Sequence, residues 1–139
     1  MPYPYDTTFA WSFPSLPVVI HQIEGGAGTL PLPALIDTGA DATLIPTVHL
    51  RAIQADEIYT TRLRGHWGEW RSVAVHLVDL EIAGLRLPAV EVVADDLGED
   101  FLLGRNALNK LILLLDGPRG QTDVLTRRSA DRLCAGRGQ

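Results

Sequence analysis

Cysteine is nearly absent. The single Cys134 has no partner in the chain, so an internal disulfide framework is excluded, and the expected compartment is reducing and cytoplasmic. Long apolar runs are absent too. The longest aliphatic stretch, Leu111 to Leu115, falls far short of the roughly 20 residues a membrane-spanning helix needs. The chain does not open on a basic segment, an apolar stretch and a small-residue cleavage site, so no signal peptide is expected. Positive charge is scarce: 12 bases stand against 17 acids, a net charge of −5 that disfavours nucleic acid as the main partner. Metal-site patterns are missing as well. His21, His49, His66 and His76 show no His-Glu-x-x-His spacing, and one cysteine cannot anchor a structural zinc. Gly25-Gly26-Ala27-Gly28 lacks a following Lys-Ser/Thr, and no Gly-x-Ser-x-Gly elbow occurs, so neither a phosphate cradle nor a serine hydrolase is indicated. No cofactor and no metal are expected.

What is present suits one domain. The 139 residues are 46% hydrophobic and 21% charged, enough for both a core and a hydrated surface. Turn signals recur at short intervals, the spacing of an all-β domain. Strands are predicted at Leu16–Glu24, Thr29–Ile36, Ile58–Arg64, Glu69–Leu80, Leu85–Ala94 and Gln121–Leu125, with a short apolar segment at 101–103. Leu111–Leu115 is predicted as a buried strand. A short helix is expected from Pro46-Thr47 to about Gln54 with Thr47 as its cap, and another turn or two at 105–110. The expected architecture is a small β-barrel or sandwich.

The ends differ from the middle. Residues 1–16 form an arm rich in proline and aromatics, with Tyr3, Tyr5, Phe9, Trp11 and Phe13 among Pro2, Pro4 and Pro14. Proline that dense is not expected to continue a ladder, so the arm either packs over its own core or covers a partner. Residues 127–139 carry Arg127, Arg128, Arg132 and Arg137 against Asp131 alone, a local +3 that leaves −8 on the rest. They are expected to be a flexible basic tail or a docking segment. Residues 17–126 then make up the domain.

Chemistry concentrates in Ala34-Leu35-Ile36-Asp37-Thr38-Gly39-Ala40-Asp41, where an apolar strand ends in a carboxylate followed by a hydroxyl and a glycine. Alone, Asp-Thr-Gly is also an ordinary turn. A second element follows, with its Gly104 67 residues beyond Asp37: Phe101-Leu102-Leu103-Gly104-Arg105-Asn106, an apolar run into Gly-Arg-Asn. Between them, Gly65-His66-Trp67-Gly68 is the turn of a predicted long hairpin.

Together and in this order these segments resemble the retropepsins, the retroviral-type aspartic peptidases, and their prokaryotic relatives, over about residues 17–126. The resemblance implies an acid-protease-like closed β-barrel with a flap hairpin and one or two short helices, one lobe per chain. It makes Asp37 the catalytic aspartate and Thr38 a tie between active-site loops across a dimer. Gly39 would lie against the substrate backbone, with Ala40 and Gly104 in the supporting segments. Asp41 and Arg105 would form a buried ion pair, and Gly65, His66, Trp67 and Gly68 the flap. Trp67 and Trp70 make the flap bulkier than glycine-rich tips, either as an apolar lid or as a hairpin packed on its own sheet.

Acid–base hydrolysis of a peptide needs two carboxylates sharing one proton. This chain has one Asp-Thr-Gly and is too short for two lobes, so a working site requires a homodimer and gives a bell-shaped pH profile. The expected function is a homodimeric aspartic endopeptidase acting on peptide or protein substrates, with no nucleic acid or membrane partner. The alternative is a retropepsin-fold dimer with little turnover that binds peptides or serves assembly.

Overall fold

Residues 2–65 and 67–136 are described in a computed structural model of the chain. In chain order the strands are β1 (Pro2–Pro4), β2 (Ser15–His21), β3 (Leu32–Ile36), β4 (Thr43–Pro46), β5 (Asp56–Arg64), β6 (Trp70–Ile82), β7 (Leu85–Asp95), β8 (Phe101–Leu103), β9 (Leu113–Asp116) and β10 (Gln121–Val124). Three short helices interrupt them: α1 (Thr47–Ala52), α2 (Arg105–Leu108) and α3 (Arg127–Ala135).

Six strands close on themselves in the order β2–β3–β8–β4–β7–β6, with β6 returning to pair with β2. The β3–β8 and β4–β7 pairings are parallel and the others antiparallel. Closure leaves the ring without a free edge. Its interior is aliphatic: Leu16, Val18, Ile20, Ile45, Val78, Leu80, Ile82, Val92 and Leu103 are almost fully buried. Each such side chain contributes about 1.5–3 kcal/mol.

The period-two pattern of β6 shows how one strand serves two layers. Val78, Leu80 and Ile82 point into the ring, whereas Val73 and Val75 join Val93, Ala42, Leu44 and Leu63 in a smaller cluster. β5 pairs only with β6, as a hairpin outside the ring. A separate three-stranded sheet, β1–β10–β9, lies outside the ring, with Tyr3, Leu113 and Val124 packed against the barrel core.

Several sequence expectations change. β4 was not expected, because its four residues, three of them buried, lie between β7 and β8 and show no alternation. Pro46, not Thr47, occupies the cap position of α1, and the Thr47 hydroxyl donates to Asp96 instead. The arm does enter a ladder: Pro2–Pro4 pairs with β10, which an edge strand allows. The run at 111–115 yields an edge strand rather than a buried one, with Leu114 and Leu115 44% and 47% exposed. The basic segment expected as a flexible tail forms α3, where Thr126 Oγ1 accepts the Ser129 N–H at 3.1 Å. Among the described residues, no helix is long and apolar enough to cross a membrane.

Candidate active site

β3 delivers Asp37 to the end of a buried strand. Its last three residues, Ala34, Leu35 and Ile36, are buried and register against Phe101, Leu102 and Leu103 of β8. The ladder ends where the Asp37 N–H donates to the Leu103 carbonyl at 3.1 Å. Beyond that bond the chain turns outward. Asp37 is half-buried, and Thr38 and Gly39 are exposed.

The turn closes on its own carboxylate. The Gly39 N–H donates to Asp37 Oδ1 at 3.0 Å, and the Ala40 N–H to the Asp37 carbonyl at 3.2 Å. A Cβ on Gly39 would lie 3.2 Å from that Oδ1.

The segment after β8 braces this loop. The Arg105 N–H donates to the Ala40 carbonyl at 2.8 Å, and its guanidinium donates to the Thr38 carbonyl at 2.9 Å and pairs with Asp41. The expected Asp41–Arg105 pair therefore forms, but in the single chain it is exposed rather than buried, at 88% and 45%. An exposed pair contributes at most about 1 kcal/mol, so its effect is geometric. Gly104 is required sterically: a Cβ there would sit 2.2 Å from the Ala42 carbonyl oxygen.

Two residues to which the sequence reading assigned no role complete the brace. Thr43 is fully buried at the start of β4, and its Oγ1 accepts the Gly104 N–H at 3.1 Å. Asn106 Oδ1 accepts from the Thr43 N–H and hydroxyl, while its Nδ2 donates to the Glu91 carbonyl on β7 at 2.7 Å. Asn106 was visible within Gly-Arg-Asn, but nothing in the sequence signalled Thr43.

The β5–β6 hairpin projects from the barrel. Its turn is held by the Gly65 N–H to the Glu69 carbonyl at 2.6 Å and the Gly68 N–H to the Gly65 carbonyl at 3.0 Å, with Gly68 at φ 86°. Trp67 is 89% exposed, and the Arg62 guanidinium lies 5.2 Å from the Trp70 ring centre. His66, expected at this turn, lies outside the described residues. Beneath the hairpin is a cavity of about 210 Å³ with apolar walls of Leu44, Leu63, Val73 and Val93 and charged Arg64, Glu69, Arg71 and Asp95. Asp37 does not line it in the single chain. Among the described residues, no three His, Cys, Asp or Glu side chains are grouped to hold a metal ion.

The loop thus presents a half-buried carboxylate on a braced turn, and sequence comparison identifies the family. The model of the family described as "gag-polyprotein putative aspartyl protease" matches residues 23–110, which include both loops and the hairpin. The chain belongs to that family. As a retropepsin-like chain it also shares its fold with viral proteases. The EIAV protease, solved in complex with the inhibitor HBY-793, superposes with a TM-score of 0.54 and 22% identity, covering 78% of this chain and 93% of the viral one. The simian foamy virus (mac) protease gives 0.50 and 23% identity, over 68% and 91%. No curated protein matches by sequence. The closed barrel, short helices and predominance of strand expected from the resemblance are all present.

Proposed function

We propose that this retropepsin-like chain is a homodimeric aspartic endopeptidase. Asp37 from each of two subunits meets across a two-fold axis, and the pair shares one proton. One carboxylate takes a proton from the attacking water while the other donates toward the peptide carbonyl oxygen. The β5–β6 hairpin acts as a flap over an extended peptide, and Thr38 ties the two loops together. The apolar walls of the cavity favour apolar side chains near the cut.

The reading rests on one observation: Asp37 stands half-exposed on a loop tied to Leu103, Arg105 and its own carboxylate. Such bracing is what a dyad demands, since a misplacement of about 1 Å can cost 10²-fold in rate. Cleavage of a mixed peptide library between pH 4 and 7 tests it, comparing the native chain with Asp37→Asn. The expected result is a bell-shaped profile for the native chain and no cleavage by the variant. An inactive native dimer would instead favour a peptide-binding or assembly module.

A further inference from the structure

We infer that Tyr59 is a positioning residue for the flap: its phenol straps the β5–β6 hairpin across β6 to the Glu91 carboxylate and so sets how the hairpin sits over the Asp37 loop. The inference rests on the peptidase reading, because it gives Tyr59 a part in holding the substrate.

The hairpin has little else to fix its place. β5 has a ladder to β6 alone, and a bulge between Glu57 and Tyr59 interrupts that ladder at its root. From Tyr59 the chain extends about 20 Å further to the Gly65 turn. Leu63 packs with Val73, Val75, Val93, Ala42 and Leu44, but apolar contact is non-directional and seats the hairpin without fixing its height. The Arg62 guanidinium lies over Trp70, inside the hairpin itself. Among the described residues, no side chain of β5 other than Tyr59 is hydrogen-bonded to the barrel.

Register makes the strap possible. Tyr59 stands opposite Val75, and Glu91 stands opposite Leu77, two residues farther along the same face of β6. The phenol therefore crosses β6 on one face and donates to Glu91 Oε2 at 3.2 Å. Desolvation, the hydrogen bond to Glu91 and the charge of that residue push the Tyr59 phenol above its usual 10.0. It stays a donor at any pH where a carboxylate pair shares one proton.

The acceptor ties the strap to the catalytic loop. The Glu91 carbonyl accepts from Asn106 Nδ2 at 2.7 Å, Asn106 Oδ1 accepts from Thr43, and Thr43 Oγ1 accepts the Gly104 N–H. Hairpin and loop brace thus meet on one residue of β7. A hairpin released from this anchor spends less time in the position that holds substrate. Apparent affinity falls by that fraction, while the chemical step is untouched.

Tyr59→Phe removes the hydroxyl and keeps the ring. Hydrogen exchange of the β5 amides bonded to β6 should then run about 3- to 10-fold faster, with β2 amides unchanged. Steady-state kinetics on a peptide that the native chain cleaves should show KM raised about 3- to 10-fold and kcat within about 2-fold of native. Glu91→Gln keeps an acceptor oxygen and should stay near native. Glu91→Ala should match Tyr59→Phe, and the two together should be no worse than either alone. Unchanged exchange and KM in Tyr59→Phe, additive losses in the double variant, or a loss in kcat instead of KM would each overturn the inference. Exchange is read without turnover, so the two readings fail separately. Native cleavage that Tyr59→Phe leaves unaltered, with unaltered exchange, sinks the strap and leaves the peptidase. Faster exchange in the variant of a chain that cleaves nothing keeps the strap and sinks the peptidase reading.

Discussion

Thr43 and Asn106 are joined twice: both the N–H and the hydroxyl of Thr43 donate to Asn106 Oδ1, at 3.1 and 2.8 Å. Through these two hydrogen bonds β4, the Gly104 turn and β7 are tied together beside the Asp37 loop.

Thr43→Val keeps the shape but leaves the Gly104 N–H without its acceptor in a buried site. The expected loss is about 1–3 kcal/mol. Urea unfolding of the two proteins measures it, and a change within 0.5 kcal/mol, the usual range of surface substitutions, would show that water or a shifted backbone takes the place of the hydroxyl.

Gly104→Ala should be worse. Its Cβ meets backbone atoms of Ala42 and Thr43, which cannot swing aside as a flexible side chain can. The chain is expected to lose about 1–3 kcal/mol or more, together with cleavage activity. A variant with native melting temperature and native turnover would contradict this packing.

Arg105→Lys separates geometry from stability. A lysine keeps the charge but cannot serve the Thr38 carbonyl and Asp41 as a planar fork. Because the ion pair is exposed, stability should fall by no more than about 1 kcal/mol. Turnover should fall about 10²-fold with little change in KM, read from steady-state kinetics on a peptide substrate. A loss of stability with unaltered kcat would reverse the assignment.

Asp79 governs a pH dependence away from the site. Its burial by itself raises the carboxyl, but the Ala89 N–H, the Arg86 guanidinium and the Glu24 N–H outweigh that and hold it below its usual 3.8. A group depressed on folding stabilises fully above its unfolded value, and that contribution is lost as pH falls through the folded one. Native stability should therefore drop on acidification below about pH 4 more steeply than that of Asp79→Asn, which is expected to lose about 1–3 kcal/mol near neutrality. Unfolding curves between pH 2 and 7 compare the two slopes. Parallel curves would exclude Asp79 as the source.

Local chemistry was legible in the residues themselves. Val73-Ala74-Val75-His76-Leu77-Val78 alternates as a strand must, glycines mark the Gly65–Gly68 turn, and Asp37-Thr38-Gly39 ends an apolar strand. Each of these depends on neighbours a few positions away, so period and turn preference suffice. The paired loops, 67 residues apart, were recognisable as a family pattern, and the parallel β3–β8 ladder brings them together. Contacts between distant segments decided the rest. Thr43 looks like any strand threonine until Gly104 and Asn106 arrive from more than 60 residues away. Leu113 to Leu115 read as core because they are aliphatic, yet the ring closed through β2 and β6 without them and left them at an edge. Hydrophobicity in sequence states only that a side chain gains by leaving water. Which surface receives it is settled only when the barrel closes.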